Sequence, residues 1–360
     1  MKLLFLMNHI IMGGLEKVLL QYVDSLTQHG INITVLSREK VTDQYFIDFF
    51  KTRNINLVTL NKHNWHFFIN KIISKYVCRI KLNYIIRKYD TIIDFANFTF
   101  FNELKNVKKQ KIGFCHGSIL FFNSYIDKNV LNIYDDIVCL SDAFMRDFAK
   151  QYPQYKNKIH RIYNPINIDN VRKLSYEKVS VHRQYFVAVQ RLDSTDKDVP
   201  TIINAFNIFK KKYPQYNLYI IGDGPQMAEL RKMPANNKHI IFTGKIDNPY
   251  PFIKNATALI LSSTTTIGEG LPNTLLEAQA LGTLAISSDV PSGPREILLN
   301  GRGGILFRPG NAKDLAKVLD KVVNKEYDIR KIIECATIHL IRFDAFKNVK
   351  QLLDLIWGTK

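Results

Sequence analysis

The sequence has few cysteines and no long hydrophobic run, and both absences limit the classes of protein it can encode. Four cysteines occur among 360 residues, and none of them forms a C-x-x-C pair. A disulfide scaffold and a zinc site are therefore disfavoured, and scattered thiols are typical of a reducing cytosol. No run approaches the ~18 apolar residues of a membrane-spanning helix. We therefore expect a chain that does not span a membrane, which leaves binding to a membrane surface open.

A secretory leader is not recognisable at the N-terminus. The apolar run Leu3–Met7 is preceded by a single lysine and ends at Asn8. It is shorter than the roughly 7–15 apolar residues of a signal peptide, and no small-residue cleavage site accompanies it. We therefore expect the protein to be cytoplasmic.

Acidic residues are scarce relative to basic ones. The chain has 32 Asp and Glu against 50 Lys and Arg, which gives a formal net charge of +18. On charge alone, the anionic partner that this predicts can be a nucleic acid, a phosphorylated substrate or an acidic membrane. A disordered chain is excluded, because 23 Phe and 17 Tyr supply ample apolar surface for a core.

The sequence also lacks a dinucleotide-binding fingerprint. That fingerprint requires G-x-G-x-x-G, and neither Gly13-Gly14 nor Gly222-x-Gly224 is followed by the third glycine. A dehydrogenase is therefore disfavoured. Gly13 and Gly14 nevertheless stand where a predicted strand meets a predicted helix, so the backbone N–H groups there can bind a phosphate. A plain tight turn is the alternative for this pair.

Short apolar runs alternate with helical patterns along the chain. Run 2–7, a helical face that begins at Leu15 and run 31–36 form a β-α-β unit, which predicts a parallel sheet with right-handed crossovers. The other predicted strands are 55–60, 91–96, 111–116, 136–141 and 160–165 in the first half, and 185–190, 217–224, 239–244, 256–263, 283–289 and 304–310 in the second.

The length indicates about two domains, at roughly 100–200 residues each. The polar, aperiodic stretch 166–184 is the predicted linker. We therefore predict an α/β protein with two Rossmann-like, doubly wound domains, 1–165 and 185–340, that face a central cleft. Residues 341–360 are predicted to form a helix that packs back on the first domain. Ligands of such sheets bind at the carboxyl ends of the strands.

Two basic residues follow the first predicted strand of the second half. Arg191 and Lys197 flank the loop at the carboxyl end of that strand. A guanidinium fork and an ammonium group there suit a diphosphate. Ordinary surface charge is the alternative in so basic a chain.

Two glutamates with seven residues between them stand around the start of a predicted helix. Glu269 lies in a glycine-rich loop, Pro272 fits the first turn of the helix, and Glu277 lies further along it. Carboxylates accept hydrogen bonds from vicinal sugar hydroxyls, so this pair can hold two different sugars. The alternative is one solvated glutamate and one structural glutamate.

The sequence E-G-L-P-N-T-L-L-E at 269–277 resembles the E-x7-E signature of retaining GT-B glycosyltransferases of family 4. Other motifs match that family in order across most of the chain: Gly13-Gly14, Arg191 with Lys197, 222–225, 242–244 and 292–297. The pieces 163–165 and 287–298 are similar to enzymes that build bacterial lipopolysaccharide, capsule or other lipid-linked glycans. The resemblance therefore implies the GT-B fold and glycosyl transfer, with 1–165 as the acceptor-binding domain and 185–340 as the nucleotide-sugar-binding domain.

The resemblance implies roles for residues of the second half. Arg191 and Lys197 would neutralise the donor diphosphate and stabilise it as the leaving group. Glu277 would bind the ribose hydroxyls of the nucleotide, and Glu269 would contact the donor sugar. The backbone amides of Gly270 and Leu271 would help to hold the sugar and phosphates, and Ile246 is a candidate for the base pocket.

In the first half, Gly13 and Gly14 would close over the donor phosphates. His116 matches a family histidine near the donor sugar, and a core or capping histidine is the alternative. The implied reaction is retaining transfer of a hexose or N-acetylhexosamine from a nucleotide-sugar, which we expect to be UDP-linked. Neither a metal ion nor another cofactor is expected for this fold. Asp196-Lys197-Asp198 also reads D-x-D, the metal motif of the other large transferase fold, but so short a pattern arises readily by chance.

Three features depart from the family pattern. Gln190 stands where members often carry glycine, and the loops from Arg191 to Lys197 and from Ser263 to Glu269 are longer than usual. These departures concern the pocket for the donor sugar.

The stretch 51–89 contains nine Lys or Arg and no Asp or Glu, with six aromatic residues interleaved. A basic, aromatic segment of this kind predicts contact with an anionic membrane surface or a phosphorylated glycolipid acceptor. A solvated helix face with core aromatics is the alternative. Nucleic-acid binding also fits basic and aromatic residues, but no recognised motif accompanies them. The aromatic residues are Trp65, Phe67, Phe68, Tyr76, Tyr84 and Tyr89.

We therefore predict a glycosyltransferase that lies peripherally on the inner face of the cytoplasmic membrane and acts on a glycan or glycolipid acceptor. Two other functions stay open. A sugar-nucleotide epimerase on the same fold would convert the donor without an acceptor. A non-enzymatic module would bind anionic lipid or nucleic acid through its basic surface, with strong salt dependence.

Overall fold

The structure is a computed structural model that describes residues 1–11, 13–60, 71–119, 122–123, 126, 128–193, 197–233, 238–265 and 268–358. Its strands form two parallel sheets. The strands of the first sheet are β1 (Lys2–Met7), β2 (Asn32–Ser37), β3 (Asn56–Thr59), β4 (Thr91–Asp94), β5 (Gln110–Cys115), β6 (Asp136–Cys139) and β7 (Ile159–Arg161). Those of the second sheet are β8 (Tyr185–Val189), β9 (Asn217–Ile221), β10 (Ile240–Gly244), β11 (Ala258–Leu261), β12 (Ala285–Ser288) and β13 (Ile305–Phe307).

Helices connect many of these strands, as the alternating pattern predicts. The α-helices span Gly14–Gln28, Gln44–Thr52, Lys71–Ile86, Phe101–Leu104, Lys128–Leu131, Asp142–Gln151, Ile168–Leu174, Val199–Lys210, Met227–Leu230, Tyr250–Lys254, Asn273–Ala280, Gly293–Ile297, Ala312–Val323, Ile329–Leu340 and Ala345–Trp357. Short 3-10 helices span Pro153–Lys158, Leu299–Gly301 and Ile341–Phe343. The prediction of two doubly wound α/β halves is confirmed.

β1 shows why an uninterrupted apolar run becomes a parallel strand. Leu3, Phe5 and Met7 belong to a core cluster on one face of the sheet, which the helix after β1 also enters. Leu4 and Leu6 belong to a separate cluster on the other face. A strand that is covered on both faces needs apolar side chains on both faces, and β1 has them at every position from Leu3 to Met7.

The chain divides into two compact units. The first unit consists of 1–140, 144–165 and 345–360, and the second consists of 141–143 and 166–344. The core of the second unit contains apolar residues of β8, β9 and β11 together with residues from the helices Val199–Lys210 and Ala312–Val323. Each unit therefore has its own sheet and its own core.

The C-terminal helix belongs to the first unit. It contributes Val349, Leu352, Leu353 and Ile356 to the cluster that contains Phe5. Within the same helix, the Asn348 side chain is buried and its Oδ1 accepts a hydrogen bond from the Tyr163 N–H at 3.2 Å.

The stretch that the sequence suggests as an aperiodic linker contains a short helix, Ile168–Leu174. Asn167 begins it, because the Asn167 side chain accepts a hydrogen bond from the Asn170 N–H at 3.0 Å. Val171 is the buried residue of this helix. A seven-residue helix with one buried apolar position leaves no periodic pattern in the sequence.

The strand order places a switch point in each sheet. In the first sheet the order is β3-β2-β1-β4-β5-β6-β7, so the strand order reverses between β1 and β4. In the second the order is β10-β9-β8-β11-β12-β13, and the reversal lies between β8 and β11. Crevices outside the carboxyl ends of strands at such points are where doubly wound sheets bind ligands.

No helix in the described part of the chain has the length and apolar character that crossing a bilayer requires.

Candidate functional site

Lys197 and Glu269 form a buried ion pair at the switch point of the second sheet. The Lys197 Nζ donates a hydrogen bond to Glu269 Oε1, and the side chains are only 11% and 8% exposed. The Ser263 hydroxyl, which follows β11, donates to the same carboxylate oxygen. The sequence interpretation assigns Lys197 to a diphosphate and Glu269 to a sugar, and the structure brings the two side chains into direct contact.

The backbone around this pair is fixed by close packing. Gly268, directly before Glu269, has a φ of 71°, in the left-handed region where glycine is favoured. A Cβ atom on Gly293 would lie 2.0 Å from the carbonyl oxygen of Gly270. Glycine at 293 therefore lets the start of the next helix approach the loop of Gly270 and Leu271. Both of those loop residues are buried.

Glu277 lies on the helix Asn273–Ala280 and is only 3% exposed. Its Oε1 accepts a hydrogen bond from the Tyr250 hydroxyl at 3.4 Å. Its Oε2 is buried and has no hydrogen-bond partner among the described residues. Since buried carboxylate oxygens are normally paired, this atom is an acceptor available to a ligand hydroxyl.

Arg191 follows β8 and has a side chain that is 58% exposed. Its guanidinium contacts Asp193 at 3.3 Å. Cβ atoms on Gly222 and Gly224 would lie 2.0 Å and 2.4 Å from the carbonyl oxygens of Gln190 and Leu192. The Gly-x-Gly motif therefore supports the backbone on both sides of Arg191, a role that the sequence reasoning did not assign.

Gln190, at a departure from the family pattern, is buried between β8 and β11. Its Oε1 accepts a hydrogen bond from the Ser262 N–H at 3.4 Å, and its Nε2 has no partner among the described residues. Ile246 follows β10 and is half-buried. Gly244, which ends that strand, has a φ of 75°.

Asp196, the first residue of the D-x-D motif, lies outside the described residues. Thr266 and Ile267, in the loop before Glu269, also lie outside them. Asp198 begins the helix Val199–Lys210, and its side chain accepts a hydrogen bond from the Thr201 N–H at 3.2 Å. Among the described residues, no group of three or more His, Cys, Asp or Glu side chains is placed to hold a metal ion.

In the first unit, Gly13 and Gly14 start the helix after β1. Gly13 has extended backbone, and a Cβ atom there would lie 2.6 Å from Oε2 of Glu16. Glu16 is 4% exposed, so a buried carboxylate lies beside this helix start. The sequence interpretation assigned this helix start to the donor phosphates and gave no role to Glu16.

His116 follows β5, and its ring packs against two aromatic rings. The ring centroids of Phe95 and Phe114 are 4.4 Å and 5.7 Å away. Burial lowers the pKa of His116 to about 3, against a smaller opposing effect of a hydrogen bond with the Phe95 backbone. The ring is therefore neutral near pH 7, and its buried Nε2 has no partner among the described residues.

A cavity of about 520 Å³ lies in the first unit. Sequence reasoning missed it, although the aromatic-rich stretch that follows β4 was a possible signal. Arg38 and Glu103 form an ion pair at 2.8 Å there, with side chains 25% and 8% exposed. The two residues are 65 positions apart in the chain.

The basic stretch 51–89 is only partly described. Trp65, Phe67 and Phe68 lie outside the described residues, as does the side chain of Tyr76. Tyr84 is 64% exposed on the helix Lys71–Ile86. Tyr89 is buried instead, and its hydroxyl donates to Thr34 Oγ1 at 2.8 Å.

Two family models match the chain. The model "Glycosyltransferase Family 4" matches residues 12–170, and "Glycosyl transferases group 1" matches residues 176–338. Together these matches include most of both units.

Curated relatives and solved structures are similar to the chain over long segments. An uncharacterized glycosyltransferase of Methanocaldococcus jannaschii is 29% identical over 268 residues, 62% of this chain and 64% of that protein. A lipopolysaccharide 1,6-galactosyltransferase of Salmonella typhimurium is 29% identical over 198 residues, 52% of this chain and 53% of that one. The chain thus spans less than two thirds of either relative. A crystal structure of Anabaena HepE with UDP and glucose has a TM-score of 0.80 at 16% identity, and covers 99% of this chain and 100% of that one.

Proposed function

The chain belongs to the group 1 glycosyltransferases of family 4 and has the GT-B fold, and from this membership we propose that it is a retaining glycosyltransferase. It transfers a hexose or N-acetylhexosamine from a UDP-sugar to a lipopolysaccharide, capsule or other lipid-linked glycan. The observation that carries the proposal is the buried Oε2 of Glu277, which has no hydrogen-bond partner among the described residues and belongs to a residue eight positions after Glu269. A ribose hydroxyl of the nucleotide can donate a hydrogen bond to this carboxylate oxygen.

The similar proteins support the choice of donor and acceptor. The Anabaena protein was crystallised with UDP and glucose, which supports a UDP-linked hexose. The name of the Salmonella relative supports a lipopolysaccharide acceptor.

In the proposed reaction, the bond between C1 of the donor sugar and the diphosphate oxygen breaks. The acceptor hydroxyl oxygen bonds to C1 on the same face of the sugar, and its proton passes to the departing diphosphate oxygen. Negative charge accumulates on the diphosphate, and the cations of Arg191 and Lys197 stabilise it. This charge stabilisation comes from side chains of the protein, so the proposal includes no metal ion.

Glu269 orients Lys197 and remains available to the donor sugar. The Lys197 ammonium is paired with the Glu269 carboxylate. An ammonium has three donors, so Lys197 can bind a phosphate oxygen and keep its contact with Glu269. His116 is neutral because burial lowers its pKa to about 3. Its Nε2 is thus suited to accept a hydrogen bond from a sugar hydroxyl in this proposal.

The test of the nucleotide site is Glu277→Gln, with Glu326→Gln on the exposed surface as the matched control. Loss of a charged hydrogen bond to a hydroxyl costs about 1.5–3 kcal/mol, so we expect the Kd for UDP-sugar to rise about 10- to 100-fold. Isothermal titration calorimetry measures Kd, and UDP release measures turnover, each with and without EDTA. Unchanged affinity in Glu277→Gln would contradict the ribose role. Turnover that requires a divalent metal would contradict metal-independent transfer.

We further propose that the protein lies on an anionic membrane surface through the basic stretch 51–89. Ile80 and Tyr84 are 69% and 64% exposed, one helical turn apart. Arg87 and Lys88 are exposed directly after that helix, and the Lys88 Nζ lies 5.1 Å from the centroid of the Tyr84 ring. An exposed aromatic and aliphatic pair beside two cations suits the interface of an anionic bilayer.

Vesicle flotation tests this membrane contact. We expect the protein to float with vesicles that contain phosphatidylglycerol and not with pure phosphatidylcholine. The double variant Ile80→Ser with Tyr84→Ser should float less, whereas Ile338→Ser with Ile341→Ser, a similarly exposed apolar pair, should behave as wild type. Equal flotation of both variants would refute this contact.

A further inference from the structure

The cavity in the first unit lies at the switch point of its sheet. Most of its lining residues follow three neighbouring strands: Asn8 follows β1, Arg38 and Glu39 follow β2, and 98–99 and 101–103 follow β4. Ile126 and Val130, which come after β5, complete the described lining. The reversal of strand order between β1 and β4 makes this edge the expected ligand site of the sheet. A volume of about 520 Å³ lies within the range of small-molecule sites.

We propose that this cavity binds one electrically neutral sugar, the terminal residue of the acceptor glycan. The identification of that sugar as the acceptor rests on the proposed glycosyl transfer. The anionic groups of a lipid-linked acceptor would then lie outside the cavity.

The charge of the lining favours a neutral ligand. In a chain with a net charge of +18, the described residues of the lining include one cation, Arg38, and two carboxylates, Glu39 and Glu103. The Arg38 cation is also occupied by protein contacts. Its Nη1 donates to Glu103 at 2.8 Å, and its Nη2 donates to the Thr99 carbonyl oxygen at 3.2 Å. A phosphate or uronate in the cavity would therefore meet an excess of negative charge.

Two polar atoms of the lining residues lack partners. The Nε of Arg38 and the Oγ1 of Thr99 are buried and make no hydrogen bond with any described residue. Nearly all buried polar atoms of folded proteins are hydrogen-bonded, so atoms of this kind indicate a missing partner. A sugar hydroxyl both donates and accepts, and it can satisfy the Arg38 N–H donor and the Thr99 hydroxyl alike.

Aromatic side chains supply the apolar part of the site. Phe98 is buried and Phe101 is half-buried, and both line the cavity. The apolar face of a sugar ring can pack against such a ring, while carboxylate and amide groups hold its hydroxyls. A combination of aromatic walls with a few polar groups is typical of small-molecule pockets.

The turn that carries these residues is fixed before any ligand arrives. Asp94 is fully buried at the end of β4 and accepts hydrogen bonds from the Phe100 N–H at 3.0 Å and the Tyr134 hydroxyl at 2.7 Å. Asn97 and Phe98 have φ values of 55° and 64°. Positive φ at two successive non-glycine residues is uncommon and is maintained here by the surrounding contacts.

Saturation-transfer NMR on the full chain tests the proposal, with UDP present to occupy the nucleotide site. The probes are the methyl α-glycosides of glucose, galactose and N-acetylglucosamine, with glucose 1-phosphate and glucuronate as anionic comparators. We expect saturation transfer to at least one neutral glycoside and weaker transfer to the anions. Phe101→Ala should reduce the signal about fivefold or more. Phe101→Leu should retain part of it, and Glu326→Gln should leave it unchanged.

Glu103→Gln tests the charge argument separately. It removes one carboxylate from the lining and leaves Arg38 without its ionic partner, so binding should shift toward glucose 1-phosphate. The proposal is overturned if no neutral glycoside binds, if glucose 1-phosphate binds better than the neutral probes in the wild type, or if Phe101→Ala keeps the full signal. Thermal unfolding shows whether each variant is folded.

The failure of this inference is distinguishable from the failure of the proposed function. Binding of UDP-sugar, and hydrolytic release of UDP measured without an acceptor, do not require the acceptor cavity. If they are retained while no neutral glycoside binds, the cavity assignment fails and the transferase proposal stands. If glycosides bind and no nucleotide-sugar is bound or cleaved, the transferase proposal fails and the cavity remains a sugar site without the acceptor role.

Discussion

The Lys197–Glu269 pair offers a way to separate the energetics of folding from those of the reaction. Its side chains are 11% and 8% exposed, so removal of either member leaves the other charge buried without this ion pair. Breaking a buried pair by removing one member typically costs about 3–5 kcal/mol. We therefore expect Glu269→Gln and Lys197→Met each to lose about that much unfolding free energy.

Removal of both charges should cost less than removal of one. The double variant leaves no unpaired buried charge, so we expect it to recover about 2 kcal/mol relative to either single variant. Turnover should nevertheless be lost in all three variants, because each lacks a group that the proposed reaction uses. Urea unfolding followed by circular dichroism gives the free energies, and UDP release gives the turnover.

The donor provides a further readout of the same pair. In Glu269→Gln, the diphosphate of UDP supplies the negative partner that Lys197 has lost, so UDP should raise the melting temperature of this variant more than that of the wild type. In Lys197→Met it should raise it less. Single variants as stable as the wild type, or losses that simply add in the double variant, would refute this account of the pair.

Three further predictions concern titration and close packing. Burial raises the pKa of Asp94 to about 6, so folding favours its protonated form. The unfolding free energy of the wild type relative to Asp94→Asn should therefore fall by roughly 3 kcal/mol as the pH rises from about 4 to about 7. A difference in unfolding free energy that does not change with pH would contradict this. Burial lowers the pKa of His116 to about 3, so folding favours its neutral form. The unfolding free energy of the wild type relative to His116→Asn should therefore fall by roughly 3 kcal/mol as the pH falls from about 6.5 to about 4. Gly293→Ala places a Cβ atom 2.0 Å from the Gly270 carbonyl oxygen and should weaken UDP-sugar binding about tenfold. At Gly310 an added Cβ atom would have no neighbour within 4 Å, so Gly310→Ala should change stability and leave the affinity for UDP-sugar unchanged. Equal affinities for UDP-sugar in the two variants would count against the packing argument.

Periodicity and strand polarity carried most of the fold prediction. Every predicted apolar run overlaps one of the strands β1–β13, because strands buried on both faces leave uninterrupted apolar runs. The same reasoning placed Arg191 and Lys197 at the carboxyl edge of a sheet, since parallel strands share that edge. The α/β class and the general location of the candidate site could therefore be predicted from the sequence.

Contacts between distant residues could not be predicted in this way. Lys197 and Glu269 are 72 positions apart, and Arg38 and Glu103 are 65 positions apart. Whether two charged side chains pair depends on loop conformations that local patterns do not encode. Gly293 illustrates the same limit, because its need for glycine comes from the approach of Gly270 and not from its own φ.

The placement of the C-terminal helix has a consequence for how the chain is synthesised. Val349, Leu352 and Leu353 complete a core whose other members include Phe5 and Tyr22, near the opposite end of the chain. During synthesis most of the first unit leaves the ribosome early, whereas these apolar residues leave it last. Part of the core of the first unit therefore stays uncovered while the second unit, 166–344, is synthesised and can fold. The nascent first unit is therefore the part that most needs a chaperone, and loss of the last helix should expose its core rather than that of the unit next to it in the sequence.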